Sequence, residues 1–140
     1  MKITNFELVN IVNALNSYTQ KRLPQMISYA ITKNLLTLNN DMVAYNKSLD
    51  KVIKDYEKYA IKNKDGEPVL MASGLPDVDE QYKESYVADI NELLGIEIDV
   101  DLYTINEETF AYDDGDKYDA LTPMEIVQLQ SILCSEKGGD

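Results

Sequence analysis

A chain of 140 residues, 44% of them apolar, is the size of one domain with a modest core. Histidine is absent and cysteine occurs once, at Cys134, which removes Ser-His and Cys-His nucleophile pairs, most zinc sites and any internal disulfide. The net charge of −12 is uneven, +3 over residues 1–60 and −15 over residues 61–140, so the second half offers no surface to neutralise phosphates and direct nucleic-acid binding is not expected.

Thr4-Asn5-Phe6-Glu7 has the form of a capping box. Leu8, Ile11, Val12 and Leu15 follow at helical spacing and predict a first helix ending near Tyr18. Pro24 suits the first turn of a second helix. Ile31, Leu35, Leu38, Met42, Tyr45, Leu49, Val52, Tyr56 and Tyr59 then recur in steps of four and three. This heptad stripe predicts a helix from Pro24 to about Tyr59. Its length of ~50 Å exceeds the width of a core this size. It must therefore lie along another element, extend as an arm, or pair with a second copy. The short link sets Leu8, Ile11, Val12 and Leu15 against Met26, Ile27, Ala30 and Ile31. Lys47, Lys51, Lys54 and Lys58 on the outer face read as a solvated stripe.

Residues 61–73 read as a hairpin or ordered loop turning at Asp65-Gly66, and Gly74-Leu75-Pro76 breaks the chain. Asp77 is a good N-cap for a third helix. Tyr82, Tyr86, Ile90 and Leu93 form its apolar face, toward the distal half of the second helix, and Gly95 ends it. Ile96, Ile98, Val100 and Leu102 alternate with Glu97, Asp99, Asp101 and Tyr103, the period of a half-buried strand. Residues 67–72 are its expected partner. Asp113 to Asp116 form a turn. Thr122, Pro123 and Glu125 open a last helix, with Met124, Val127, Leu129 and Ile132 or Leu133 inward. The expected fold is mostly α with a small antiparallel β element (α+β), a long central helix packed against shorter ones. Residues 1–134 form a single domain and 135–140 a flexible tail.

Three groups of residues invite a functional reading. Glu97, Asp99 and Asp101 stand ~7 Å apart on one strand face, an interval resembling successive phosphates of a nucleic-acid strand. Such a row could dock on a basic groove; an exposed strand face kept soluble by charge is the more ordinary alternative. Asp113, Asp114, Asp116 and Asp119 crowd one loop. They do not follow the EF-hand order and lack its twelfth-position glutamate, so a polar loop comes first and an interaction loop second. Tyr103 and Tyr112 lie beside these acidic segments, a composition that suits a protein-binding surface. Cys134 reads as a small apolar side chain. No phosphate loop, nucleophile elbow, cofactor site or metal site is recognisable, and an enzyme is not expected.

Met1-Lys2-Ile3-Thr4-Asn5, Leu23-Pro24 with Ser28-Tyr29-Ala30-Ile31, Asn91-Glu92-Leu93-Leu94 before the acidic strand, and Leu121-Thr122-Pro123-Met124-Glu125 carry a resemblance. They resemble a family of small proteins of unknown function encoded by tailed phages and prophages of Gram-positive bacteria. The resemblance implies a phage product made in the host bacterial cytoplasm and assigns no functional residue. Residues 103–120 depart most from the family pattern. The expectation is a non-enzymatic protein that binds a host or phage protein with a basic surface. In its sharper form it is an acidic inhibitor, mimicking nucleic acid, of a host or defence enzyme such as a CRISPR effector. The alternative is a virion or tail-assembly accessory acting through the long helix, with a homodimer as one form. No run of about 18 apolar residues could span a membrane, and the first residues lack a signal-peptide pattern.

Overall fold

The computed structural model describes residues 1–134. The expected tail, 135–140, lies outside the described residues. The elements in order are β1 (Lys2–Thr4), α1 (Asn5–Asn16), α2 (Gln25–Asp55), α3 (Glu80–Leu94), β2 (Glu97–Asp99) and α4 (Pro123–Leu133). Short 3-10 turns occupy Glu57–Tyr59 and Glu107–Phe110. The fold is mostly α with a two-stranded antiparallel sheet, organised around the 31-residue α2.

Both capping boxes form. The Thr4 hydroxyl accepts from the Glu7 amide at 3.2 Å, and the Thr4 amide donates to Glu7 Oε1 at 3.0 Å. Thr122 and Glu125 repeat the exchange at 3.2 and 2.9 Å. Each box satisfies two amides that the first helical turn would leave without partners. Pro24 stands one position before α2, as its cap, and its carbonyl accepts from the Ile27 and Ser28 amides at 3.0 Å.

α1 folds back along α2. Leu15 joins Ile27, Ala30, Ile31, Leu129 and Leu133 in one buried cluster. Leu8 and Val12 reach further along α2, to Leu38, with Ile3 and Val100. The distal half of α2 meets α3, where Val78, Tyr86 and Ile90 are covered by Leu49, Val52, Tyr56 and Tyr59. The α2 stripe thus finds its partners within the chain, and Leu38 is fully buried.

Several expected details are corrected. α2 ends at Asp55, and the 3-10 turn carries the chain on to Tyr59. α3 starts after Asp79 rather than Asp77. The Asp77 carboxylate instead takes the Val78 amide at 2.9 Å and Lys83 Nζ at 3.1 Å. The strand spans only 97–99, and its partner is residues 2–4, with Lys2 opposite Asp99, Ile3 opposite Ile98 and Thr4 opposite Glu97. Residues 67–72 pair elsewhere. The amide of Ile61 donates to Asp77 O, that of Asp77 to Val69 O, and that of Val69 to Ile61 O, at 2.8–3.0 Å. These three legs close a ring among themselves and leave no ladder for β2. Gly66 and Gly74 make the two turns between the legs with φ of 79° and 88°, where a side chain would be strained. Met26, Met124 and Val127 are exposed rather than packed inward. On α4, Leu129 and Leu133 define the buried stripe, and Val127 lies about 200° around the helix from Leu129.

The irregular segment after β2 is tied down by a buried amide. Asn34, 0% exposed on α2, donates from Nδ2 to the Tyr103 carbonyl at 2.9 Å and accepts the Tyr103 amide on Oδ1 at 2.7 Å. The side chain acts as one rung of a strand partner. Asn5, also buried, donates to the Leu93 carbonyl at the end of α3 at 3.0 Å. Asn34→Ala removes two bonds at once and should lower unfolding free energy by about 1–3 kcal/mol. The exposed Asn39→Ala should stay within about 0.5 kcal/mol of the parent. Urea unfolding of both variants checks this; an Asn34→Ala midpoint equal to the parent's would contradict it.

Candidate interaction surface

Burial alternates from Glu97 to Tyr103. Glu97, Asp99, Asp101 and Tyr103 are exposed, while Ile98, Val100 and Leu102 are buried or half-buried. Ile98, Val100 and Leu102 pack with Ile3, Leu8 and Leu38, and this apolar side holds the three carboxylates outward. Past β2 the backbone is held by the Val100 amide on the Met1 carbonyl at 2.9 Å and by the terminal ammonium of Met1 on the Val100 carbonyl at 3.2 Å. Lys2 is the cross-strand neighbour of Asp99, an opposite-charge pairing in an otherwise acidic row.

Asp101 also lines an open groove of about 620 Å³ with Ile11, Leu102, Ile132 and Cys134. Cys134 is half-buried. Burial, and secondarily Glu107, push its thiol up and away from the reactive thiolate, as expected for a side chain that serves in packing. Tyr103 meets Tyr29 of α2 edge to face, with centroids 5.4 Å apart, and both rings are exposed.

The second acidic group is anchored elsewhere. From Tyr103 the chain passes α4, where the Ile105 amide donates to the Leu133 carbonyl at 2.8 Å. It then descends to the start of α2. There Asp119 clasps Arg22, the only arginine of the chain. The Arg22 amide donates to Asp119 Oδ2 at 2.8 Å, the guanidinium approaches Oδ1 at 3.4 Å, and the Asp119 amide donates to the Arg22 carbonyl at 2.8 Å. The Tyr112 hydroxyl donates to the Asp119 carbonyl at 2.6 Å, and its ring meets Tyr118 edge to face. Burial raises the Tyr112 phenol, helped by Asp114, Asp119 and Glu125, and keeps it a donor.

Of the acidic loop, then, Asp119 and Tyr112 serve the clasp. Asp113 folds onto the Gly115 amide at 3.1 Å, and Asp114 and Asp116 are exposed. Among the described residues no group of three or more acidic or Cys side chains is placed to hold a metal ion. Arg22 stands just before the start of α2 at Gln25, and Leu38 lies thirteen residues further along that helix, about 20 Å. The row at 97–101 and the loop at 113–119 are therefore two separate patches. Tyr103 belongs to the first and Tyr112 to the second.

Asn34, Asn5 and Arg22 position these patches and escaped the sequence reading. The first had a signal: a polar residue interrupting an apolar stripe between Ile31 and Leu38.

No protein-family model, curated protein or solved structure matches the chain. Among the described residues no helix is long and apolar enough to cross a membrane.

The clasp carries a pH signature. The Arg22 amide, before the guanidinium charge, holds the Asp119 carboxyl below its ordinary range. A carboxyl lowered on folding stabilises the fold above its unfolded value, and that contribution is lost as pH falls through the folded one. Asp119→Asn should be less stable than the parent at pH 7, with the gap closing on acidification below the ordinary carboxylate range. Urea midpoints at neutral and acid pH measure it, and a gap independent of pH would contradict the clasp.

Proposed function

We propose that the protein is a non-enzymatic, phage-encoded binding protein whose outward carboxylate row, Glu97, Asp99 and Asp101, docks on a basic protein surface. In the sharper form of the proposal that surface is the nucleic-acid-binding groove of a host or defence enzyme, a CRISPR effector being one example. The acidic row takes the place of phosphates and blocks the groove within the host bacterial cytoplasm. The protein itself contacts no nucleic acid.

The observation that carries the reading is the exposure of three carboxylates at alternate positions, Glu97 and Asp99 on the ladder with β1 and Asp101 just beyond it. Side chains already held in a row lose less freedom on docking than a disordered acidic tail would. The −15 charge of residues 61–140 adds a long-range attraction toward a basic surface. Tyr103, exposed beside the row, offers an aromatic contact at its end. The exposed carboxylates Asp113, Asp114 and Asp116 form a separate second patch near the start of α2 and add to the same long-range attraction.

The test is an affinity pull-down from host lysate at low and moderate salt. Recovery of a nucleic-acid-binding enzyme that weakens as salt rises is the expected result. The neutral triple variant Glu97→Gln, Asp99→Asn, Asp101→Asn should lose that enzyme by about tenfold or more while its melting temperature stays near the parent's. Undiminished capture by the triple variant would place the binding site elsewhere.

A second reading is favoured by one observation on α2. Tyr29, Leu36 and Val43, seven residues apart, are exposed on one side of the helix, with Leu36 at 71%. This outer stripe fits a virion or tail-assembly accessory, or a homodimer, acting through the long helix. Leu36→Glu should then abolish assembly or self-association in sedimentation runs while leaving the pull-down unchanged.

A further inference from the structure

The open groove beside Asp101 runs along a stretch of unpaired backbone. Val100 is bonded to Met1 through both its amide and its carbonyl. Tyr103 is bonded to Asn34 in the same double way, and the Ile105 amide to the Leu133 carbonyl. Between them, the amide and carbonyl of Leu102 have no partner among the described residues. Backbone groups of an extended chain point to alternate sides. Those of Val100 point toward β1, so those of Leu102 point toward the line that β1 follows when it is prolonged past Met1. The ladder is open there for one more hydrogen-bonded pair, and an open edge is a template for another strand.

Met1, Val100 and Leu102 all line the groove, so the prolonged line of β1 runs along it. Met1 stands at one end, and Cys134, bridged to Ile105, at the other. Ile11 of α1, Ile132 of α4 and the Leu102 side chain give it an apolar wall. Its volume of about 620 Å³ is that of a binding site, and from Asp101 to Thr104 it offers ~10 Å of edge, three steps of extended chain. The charged groups beside it are the Met1 ammonium at one end, Asp101 on the rim and Glu107 near Cys134 at the other end. The ammonium donates to the Val100 carbonyl at 3.2 Å and carries further donors.

We propose that the groove binds the free C-terminus of a partner polypeptide, added as an extended strand antiparallel to residues 101–104. Its next-to-last residue pairs with Leu102 and turns an apolar side chain onto Ile11 and Ile132. Its last residue lies opposite Asp101 and is basic, and its terminal carboxylate meets the Met1 ammonium. The register follows from β1, where buried Ile3 faces inward and exposed Lys2 faces outward opposite Asp99. Continued past Met1, the position opposite Asp101 falls on the Lys2 face and the position opposite Leu102 on the Ile3 face. A base opposite Asp101 thus repeats the pairing of Lys2 with Asp99. Main-chain bonds supply affinity in this mode of recognition, and the alternate side chains with the carboxylate supply selection. The site shares only Asp101 with the outward row and stands apart from the docking proposed above.

The test titrates the peptide acetyl-Thr-Val-Thr-Ile-Lys, with a free carboxylate, into the full chain and follows amide shifts and hydrogen exchange by NMR. The Leu102 amide should exchange quickly in the free protein and at least about tenfold more slowly at saturating peptide. The same peptide with a C-terminal amide, and one with Thr in place of the Ile, should each bind about tenfold more weakly. Acetylating the Met1 amine keeps an N–H for the Val100 carbonyl but removes the charge. It should weaken the acid peptide about tenfold and leave the amide peptide and the melting temperature unchanged. Failure of the acid peptide to bind, equal affinity for acid and amide, or binding that leaves Leu102 exchange unaltered would overturn the proposal. Slowing of Leu102 exchange with rising protein concentration and no peptide would also overturn it, by giving the groove to a second copy of the chain.

Discussion

Asn34 is a fully buried polar residue among the apolar residues that α2 buries, and both ends of its amide are bound to the backbone of Tyr103. A buried amide left unpaired would be costly, so the segment after β2 is held in one register against the helix. From Val100 to Leu121 that segment has no strand and only one short 3-10 turn. It keeps its place through a few separate ties: Met1 at its start, Asn34 next, Leu133 beyond, and Arg22 near its end. Each tie satisfies backbone groups that an irregular segment lying on a core would otherwise leave unpaired. The same ties fix where the two acidic patches stand.

α2 divides its work along its length. Its first half carries α1, α4 and the irregular segment over two clusters that are largely Leu, Ile and Val, with Tyr18 and Phe110 in one of them. Its second half carries α3 and the three-legged loop over a cluster rich in tyrosine. There Tyr59 stacks on Tyr82 with centroids 3.6 Å apart, and Tyr56 lies against Tyr86. Aromatic rings cover much surface with few rotatable bonds, but each brings a hydroxyl that must be satisfied. Tyr18 and Gln128, Tyr112 and Asp119, and Tyr56 with Ser85 and Asp89 meet that demand, whereas Tyr86 does not. The proximal half thus positions the two acidic patches, and the distal half borders an open pocket lined by both apolar and charged side chains.

What was legible in the sequence was local. Thr4–Glu7 and Thr122–Glu125 act within four residues, and both boxes form as read. The alternation of 97–103 is also local, and the exposure of its carboxylates follows from it. The partner of β2 was not legible, because a strand of three residues such as Lys2–Thr4 is too short to show a period. Met26 and Val127 were read as inward from their apolar character alone; only the packed neighbours decide which side of a helix is covered. Asp119 looked like one more free carboxylate, and its partner Arg22 lies 97 positions away, beyond any pattern a local reading can use.

The central structural claim is that the carboxylate row is fixed along its length, Glu97 and Asp99 by the ladder with β1 and Asp101 by the ties of Val100 to Met1 and of Tyr103 to Asn34. Native-state hydrogen exchange of individual amides tests it most directly. The account predicts that the amides of Val100, Tyr103 and Ile105, bonded to Met1, Asn34 and Leu133, exchange slowly and at a common rate set by unfolding of the core, while the exposed Asp114 exchanges quickly. Exchange of Val100, Tyr103 and Ile105 at the rate of a free chain, with α1 and α2 still protected, would contradict it: the chain from Asp101 onward would then be flexible, and neither Met1 nor Asn34 would hold the end of the row in place.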